Sequence, residues 1–180
     1  MAGLRRAGAY SKKKVRPYTR KSARKSKAFI KAVPQNKIVK FNMGNTKSSI
    51  SGKYRYHVRL FSTEKVQIRD NSLEACRMAV NKILDLKIPG GYLFQVKVFP
   101  HHILRENKIA AGAGADRLSS GMSRSFGVTI GRAAIIVPGK ELFTISVPDE
   151  NSARVARDAL QKIKAKIPCR NRIVFEKATS

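Results

Sequence analysis

Acidic residues are missing from the first third of this chain: the first carboxylate is Glu64, whereas residues 1–60 carry 18 Lys or Arg. A tail that needed only solubility would use acids at least as readily, so this one-sided composition points to continuous contact with a polyanion. Tryptophan is absent and cysteine nearly so. Cys76 and Cys169 stand far apart with no CxxC pair, which excludes a disulfide framework and a multi-cysteine zinc site. No stretch approaches the roughly 20 apolar residues that cross a bilayer. The first 30 residues are basic and hold no apolar h-region, so no secretory signal and no membrane association are expected.

What is present fits a packed module with a basic extension. The chain has 180 residues, 42% of them apolar, and a net charge of +27, enough apolar content for a core and far too much charge for an isolated globule. Intracellular binding to nucleic acid is the starting expectation. The division read from the sequence is a basic extended tail over 1–36 and a single domain over 37–180.

The tail has few apolar residues and no sustained period, so no core-forming face is expected there. Fully extended, it spans about 110 Å. Arg5, Arg6, Lys12, Lys13, Lys14, Arg16, Arg20, Lys21, Arg24, Lys25 and Lys27 are the expected phosphate ligands. Tyr10, Tyr18 and Phe29, interleaved among them, are expected to stack on unpaired bases. Ordering on RNA would cost chain entropy and gain charge-assisted bonds and released counterions.

In the body, 37–43 reads as a short strand. Residues 54–61 alternate, with Tyr54, Tyr56, Val58 and Leu60 on one face and Arg55, His57 and Arg59 on the other. That pattern is a half-buried strand with a cationic second face, and Arg55 and Arg59 join the expected rRNA ligands. A further strand is read over 64–69. Asn71 with Glu74 three residues on reads as a capping box, opening a helix whose stripe is Leu73, Cys76, Ala79, Val80, Ile83 and Leu84. Pro89-Gly90-Gly91 ends it, and a strand follows over 92–99. Residues 128–137 and 141–147 read as a hairpin about Pro138-Gly139-Lys140. Asp149 or Asn151 caps a second helix with Ala153, Ala156, Ala159, Leu160, Ile163 and Ile167 inward, and 172–176 is a last strand. The expected fold class is α+β: a mixed, largely antiparallel sheet on one side and two packed helices on the other.

Between Phe99 and Phe126 lies a 26-residue segment too long for an idle connection. Its Arg105, Lys108, Arg117 and Arg124 suit phosphates, and His101, His102 and Asn107 suit sugars or bases. Enzyme signatures fail in this chain. Arg117 stands where the third glycine of a dinucleotide fingerprint belongs, and Thr46-Lys47-Ser48 lacks the glycine frame of a phosphate loop. His57, His101 and His102 have neither ligand spacing nor a supporting carboxylate cluster. A nucleic-acid packaging protein of the chromatin or nucleoid kind would explain the charge but not this glycine-bearing loop.

The runs His102-Ile-Leu-Arg105-Glu-Asn107-Lys108, Gly114-Ala-Asp116-Arg117-Leu118, Gly121-Met122 and Phe126-Gly127 closely resemble the universal large-subunit ribosomal protein family L-sixteen. They are most similar to its archaeal and eukaryotic branch, L-ten-e, and the tail and 128–137 to archaeal members. The resemblance implies an α/β hammerhead-like sandwich that binds large-subunit rRNA beside neighbouring ribosomal proteins in the cytoplasm. It also implies a place near the A- and P-site tRNA acceptor arms, late entry into subunit assembly, and no catalysis, cofactor or stable homo-oligomer. The loop over about 100–126 would be mobile and point toward the peptidyl-transferase centre. By this resemblance Arg105, Asn107, Lys108, Asp116, Arg117 and Met122 fall on matching tRNA-proximal positions, and His102 and Arg124 are grouped with them.

Overall fold

Alternation in the strand that begins at Tyr56 sets up the main layer. Val58 and Leu60 have no exposed surface, while His57 and Arg59, which alternate with them, face the other way. The computed structural model describes residues 6, 8, 10–12, 19, 24, 26–27, 30, 32–106 and 127–178. Its strands are β1 (Asn42–Gly44), β2 (Tyr56–Ser62), β3 (Val66–Arg69), β4 (Leu93–Val96), β5 (His102–Glu106), β6 (Val128–Ile136), β7 (Glu141–Val147) and β8 (Asn171–Lys177). Its α-helices are α1 (Thr46–Ile50), α2 (Asp70–Lys87) and α3 (Glu150–Ile163), the last continued by a 3-10 turn over Lys164–Lys166.

The α+β class holds, with every strand pairing antiparallel, but the sheet is two sheets. Five strands run in the order β1-β4-β7-β2-β8 and three in the order β3-β6-β5. α3 packs on β2, β7 and β8; α2 packs beside α3 and reaches β3 and β6 of the smaller sheet. One core therefore joins both sheets through the helices. Alanines 153, 156 and 159, all without exposed surface, let α3 lie close to the sheet, and Leu160 and Ile163 fill the space beyond. At about 2–5 kcal/mol for truncating such a leucine, this stripe is a main support of the larger layer.

Several local expectations need correction. The hairpin about Gly139 does not exist. The turn is there, with the Lys140 amide donating to the Val137 carbonyl at 3.1 Å, but β6 and β7 belong to different sheets. Both edges of β7 are occupied by β4 and β2, and both edges of β6 by β3 and β5. Ser62 steadies the crossover: its amide donates to the Lys140 carbonyl at 3.0 Å and its carbonyl accepts from Gly139 at 2.8 Å.

The capping box is also absent. α2 begins one residue earlier, at Asp70, which accepts from the Asn71 amide at 2.8 Å. Glu74 turns instead to Arg77, which donates to it at 2.7 and 2.5 Å. The strand read over 37–43 shrinks to Asn42–Gly44 because carboxylates of α2 take the amides ahead of it. Asp70 accepts from Lys37 at 3.3 Å and Glu74 from Val39 at 3.3 Å. Asp149 is the N-cap of α3 but gives no side-chain bond. The segment expected as loop from about 100 is strand through Glu106, and α1 has no counterpart in the sequence reading.

Candidate nucleic-acid interface

The smaller sheet receives both of the segments that the sequence marks for RNA. Its β3 edge, left open by β6 on the other side, is met by the basic tail. The Gln67 amide donates to the Ser11 carbonyl at 3.0 Å, its side-chain amide to the Tyr10 carbonyl at 2.9 Å, and Arg69 to the Arg6 carbonyl at 2.7 Å. A turn shapes this landing: Ser11 bonds back to the Gly8 carbonyl through both its amide and its hydroxyl, and Tyr10 holds φ +65°. Positive φ is costly for a tyrosine, and here three side-chain and backbone bonds hold it.

Ser11 and Ile30 are buried, so the tail has anchor points that its lack of apolar periodicity concealed. Further along, Thr129 donates to the Ala32 carbonyl at 3.0 Å and Arg132 to the Pro34 carbonyl at 2.6 Å, tying the chain to β6. Arg6, Lys12, Arg24 and Lys27 stand exposed among the described residues. Arg5, Lys13, Lys14, Arg16, Tyr18, Arg20, Lys21, Lys25 and Phe29 lie outside the described residues.

The other strands of this sheet flank the long segment. Glu106 of β5 pairs with Val128 of β6, so 107–126 leaves from and returns to adjacent strand ends. A register shift between Leu104 and Arg105 makes Ile130 an extra residue on β6, a bulge of the kind that re-aims a strand end. His102 is corrected from loop to strand, and its ring is turned inward with 5% exposure. Burial, then the Arg105 charge, hold its pKa below the usual histidine value, so the ring is neutral at pH 7. Arg105 sits half-buried at the end of β5. Asn107, Lys108, Asp116, Arg117, Met122 and Arg124 lie outside the described residues.

Ahead of β5, at the end of the strand opposite to the one from which 107–126 leaves, stands an aromatic ladder that the sequence reading missed. Phe41 and Phe99 stack at 5.4 Å between centroids, and His101 tilts on Phe99 at 4.7 Å, with Phe99 and His101 exposed. The signal lay in a lone aromatic just before Pro100, where alternation would have placed it opposite the buried Val98.

The outer face of the larger sheet is different in kind. Arg59 is engaged by Glu176 at 3.1 Å and Glu141 at 3.9 Å, and Thr144 also bonds Glu141. Lys97 donates to Gln95 at 2.7 Å and Gln95 to Asn42 at 3.3 Å, while His57 shares a 2.8 Å bond with Ser146. Burial and the Arg59 charge lower the His57 pKa despite the two carboxylates. The expected cationic face is thus largely engaged in its own polar contacts, although the buried Arg59 Nε has no hydrogen bond, and Arg55 alone of the two expected arginines is exposed. Cys76 is core, its thiol pushed up to about 12 by burial. Among the described residues no cluster of three His, Cys, Asp or Glu suits a metal ion, and no helix is long and apolar enough to cross a membrane.

Comparison with known proteins supplies an independent line. The family model described as Ribosomal protein L16p/L10e matches residues 16–174. The chain is 44% identical over 176 residues to the large ribosomal subunit protein uL16 of Methanococcus maripaludis strain C7, covering 97% of this chain and 95% of that protein. It is similarly 42% identical over 174 residues to that of Staphylothermus marinus, covering 96% and 94%, and 39% identical over 163 residues to that of Archaeoglobus fulgidus, covering 90% and 87%.

Proposed function

Because the chain belongs to the ribosomal protein L16p/L10e family, and is therefore a structural constituent of the large ribosomal subunit rather than an enzyme, we propose how it is held there and what it does. The basic tail binds large-subunit rRNA, and the segment 107–126 reaches toward A- and P-site tRNA near the peptidyl-transferase centre. The protein works in the cytoplasm among neighbouring ribosomal proteins, enters the subunit late in assembly, and forms no stable homo-oligomer.

The observation that carries this reading is the convergence on one small sheet. The tail lands on the β3 edge through Gln67 and Arg69, and 107–126 connects β5 and β6, the other two strands of the same sheet. RNA that grips the tail thereby fixes the direction in which the other segment projects. Phosphate contacts position the protein, and irregular unpaired RNA supplies the specificity.

The reading is tested by binding to large-subunit rRNA over a salt series. Neutralising about eight phosphates gives a slope of log affinity on log salt of roughly −6, at about −0.7 per contact. A slope of about −1 to −2 for the full chain contradicts it. Replacing 107–126 by a short turn should leave rRNA binding within about twofold, since the Glu106–Val128 pair closes as a hairpin. Ribosomes carrying that variant should translate poorly; unimpaired translation removes the tRNA role.

A further inference from the structure

The apolar row that crosses the larger sheet ends without a cover. Met43, Phe94, Ile145, Val58 and Phe175 stand opposite one another in register, from β1 to β8. The first is 8% exposed and the next three are fully buried, but Phe175 is 48% exposed. The reason is geometric. β8 is the edge strand, and α3 lies over β2 and β7 more than over β8, which leaves an open groove of about 610 Å³ between helix and edge.

The rim of this groove is cationic. Along α3 and into the 3-10 turn that continues it, the positions 150, 154, 157, 161 and 164 fall three to four residues apart on one side. They place Arg154, Arg157 and Lys164 on one wall, and Arg172 of β8 stands on the other. Glu150 is the one carboxylate among the lining residues, and it is engaged by Arg154 at 3.0 Å. From 154 to 164 the wall runs about 15 Å. The floor continues past Phe175 to Tyr56, whose ring lies 5.6 Å away and carries the Lys177 ammonium at 5.8 Å.

An exposed ring on a floor walled by guanidinium and ammonium groups matches a chain with flat apolar faces and an anionic backbone. We infer that this groove binds an unpaired segment of RNA, one base stacking on Phe175 and the flanking phosphates lying against Arg157, Lys164 and Arg172. An acidic peptide would match the rim and could add to the β8 edge, but only with an aromatic side chain of its own would it cover the part of the Phe175 ring that Tyr56 leaves exposed, whereas every base brings a flat face. The groove lies on the larger sheet, apart from the tail landing and the 107–126 root. The inference rests on the reading of the chain as an rRNA-binding protein, and it assigns that function a second, tail-independent contact.

The test uses the full chain and large-subunit rRNA containing 4-thiouridine. Wild-type protein is crosslinked and its peptides are mapped. Phe175→Leu, which keeps the apolar floor but removes the ring, and Arg157→Gln with Arg172→Gln are compared by affinity and salt slope. The expected result is a crosslink on the peptide bearing Phe175. Phe175→Leu should weaken binding about tenfold at an unchanged salt slope, and the double arginine variant should make the slope shallower by about 1.4. Tight wild-type binding with no crosslink in 171–177 and no effect of either change overturns the groove site while leaving the tail reading intact. Failure of the wild type to bind rRNA removes the tail reading itself. Crosslinking of the groove to a protein in assembled subunits, with no RNA adduct there, also overturns the inference and assigns the groove to a peptide. Thermal melts of each variant separate a binding loss from a folding loss.

Discussion

The two sheets of this protein do opposite things with the same materials. In the larger sheet the polar groups of the outer face answer one another: Arg59 has two carboxylates, Lys97 has Gln95, and His57 has Ser146. In the smaller sheet the groups reach outward along the chain, with Gln67, Arg69, Thr129 and Arg132 all donating to carbonyls between residues 6 and 34. A face that satisfies itself contributes stability and has little left to offer a ligand. The smaller sheet gives one set of side chains, Val66, Ile68, Ala134 and Ile136, to the common core and spends others on holding a cationic extension, which directs where the charge goes. Stability and RNA affinity should therefore separate by mutation.

The sharpest break is removal of residues 1–30. The rRNA salt slope should fall from roughly −6 to about −1 to −2, with a loss of about a thousandfold in affinity at low salt, read by titration. Folding should survive. Gln67 loses two acceptors, Arg69 loses one and the Ile30 anchor goes, so stability should drop by about 3–5 kcal/mol in denaturant melts. A variant that unfolds would show that the smaller sheet depends on its tail and would join what the comparison separates.

The converse break is in the larger sheet. Gly44 holds φ +91°, and a Cβ added there would sit 2.2 Å from the Tyr92 carbonyl oxygen, which also accepts from the Asn45 amide at 2.8 Å. Backbone cannot yield as a flexible side chain does. Gly44→Ala should cost about 3 kcal/mol or more by chemical denaturation, and the rRNA salt slope of the folded fraction should not change.

How much of this was legible in the sequence follows from what each signal encodes. α3 was read almost residue by residue because a 3.6-residue stripe reports a buried face directly, whatever packs on it. The turn at Gly139 was read too, but a turn reports that the chain reverses and not which strand it then joins. The partners of β6 and β7 come from distant residues, β3 and β5 for one and β2 and β4 for the other. The expected capping box failed for a similar reason. Glu74 had two better partners, Arg77 beside it on the helix and the Val39 amide 35 residues away, and only the first was visible locally. Of the site, charge and loop length were plain in the residues. The anchoring of the tail was not, since Ser11 and Ile30 are isolated positions with no period to betray them, and the groove at Phe175 depends on how far α3 extends over an edge strand.

Glu74 offers a test with a sign in pH. Its side chain is 13% exposed, and the Arg77 guanidinium holds its carboxyl below the usual range against the opposing effect of burial. A lowered carboxylate pKa means the contribution is complete above the ordinary value of 4.5 and is lost as pH falls through the folded value. Glu74→Gln should therefore cost about 2 kcal/mol near neutrality, and its melting curve should converge on the wild type in acid. A deficit that persisted unchanged at low pH would mean the Val39 tether, not the charge pair, is what the carboxylate supplies. Asp70 carries the opposite sign. Burial raises its pKa against the amides of Lys37 and Asn71, so its protonation favours the folded chain as pH falls through the raised value.

The smallest expected effects discriminate most finely, because they set Arg55, just ahead of β2, against Arg59 within it. Arg55 and Arg59 share the cationic face read from alternation, yet Arg55 is exposed and Arg59 is clasped by Glu141 and Glu176. If a cation's partners inside the fold decide whether it meets phosphate, Arg55→Gln should reduce the rRNA salt slope by about 0.7 and leave stability unchanged. Arg59→Gln should leave the slope alone and cost at most about 1 kcal/mol, since its side chain is 34% exposed and screened by solvent. Equal effects on the slope would mean that RNA competes Arg59 away from its carboxylates. The network on the larger sheet would then be a face waiting to be opened by RNA, and the contrast between the two sheets would be one of free energy and not of kind.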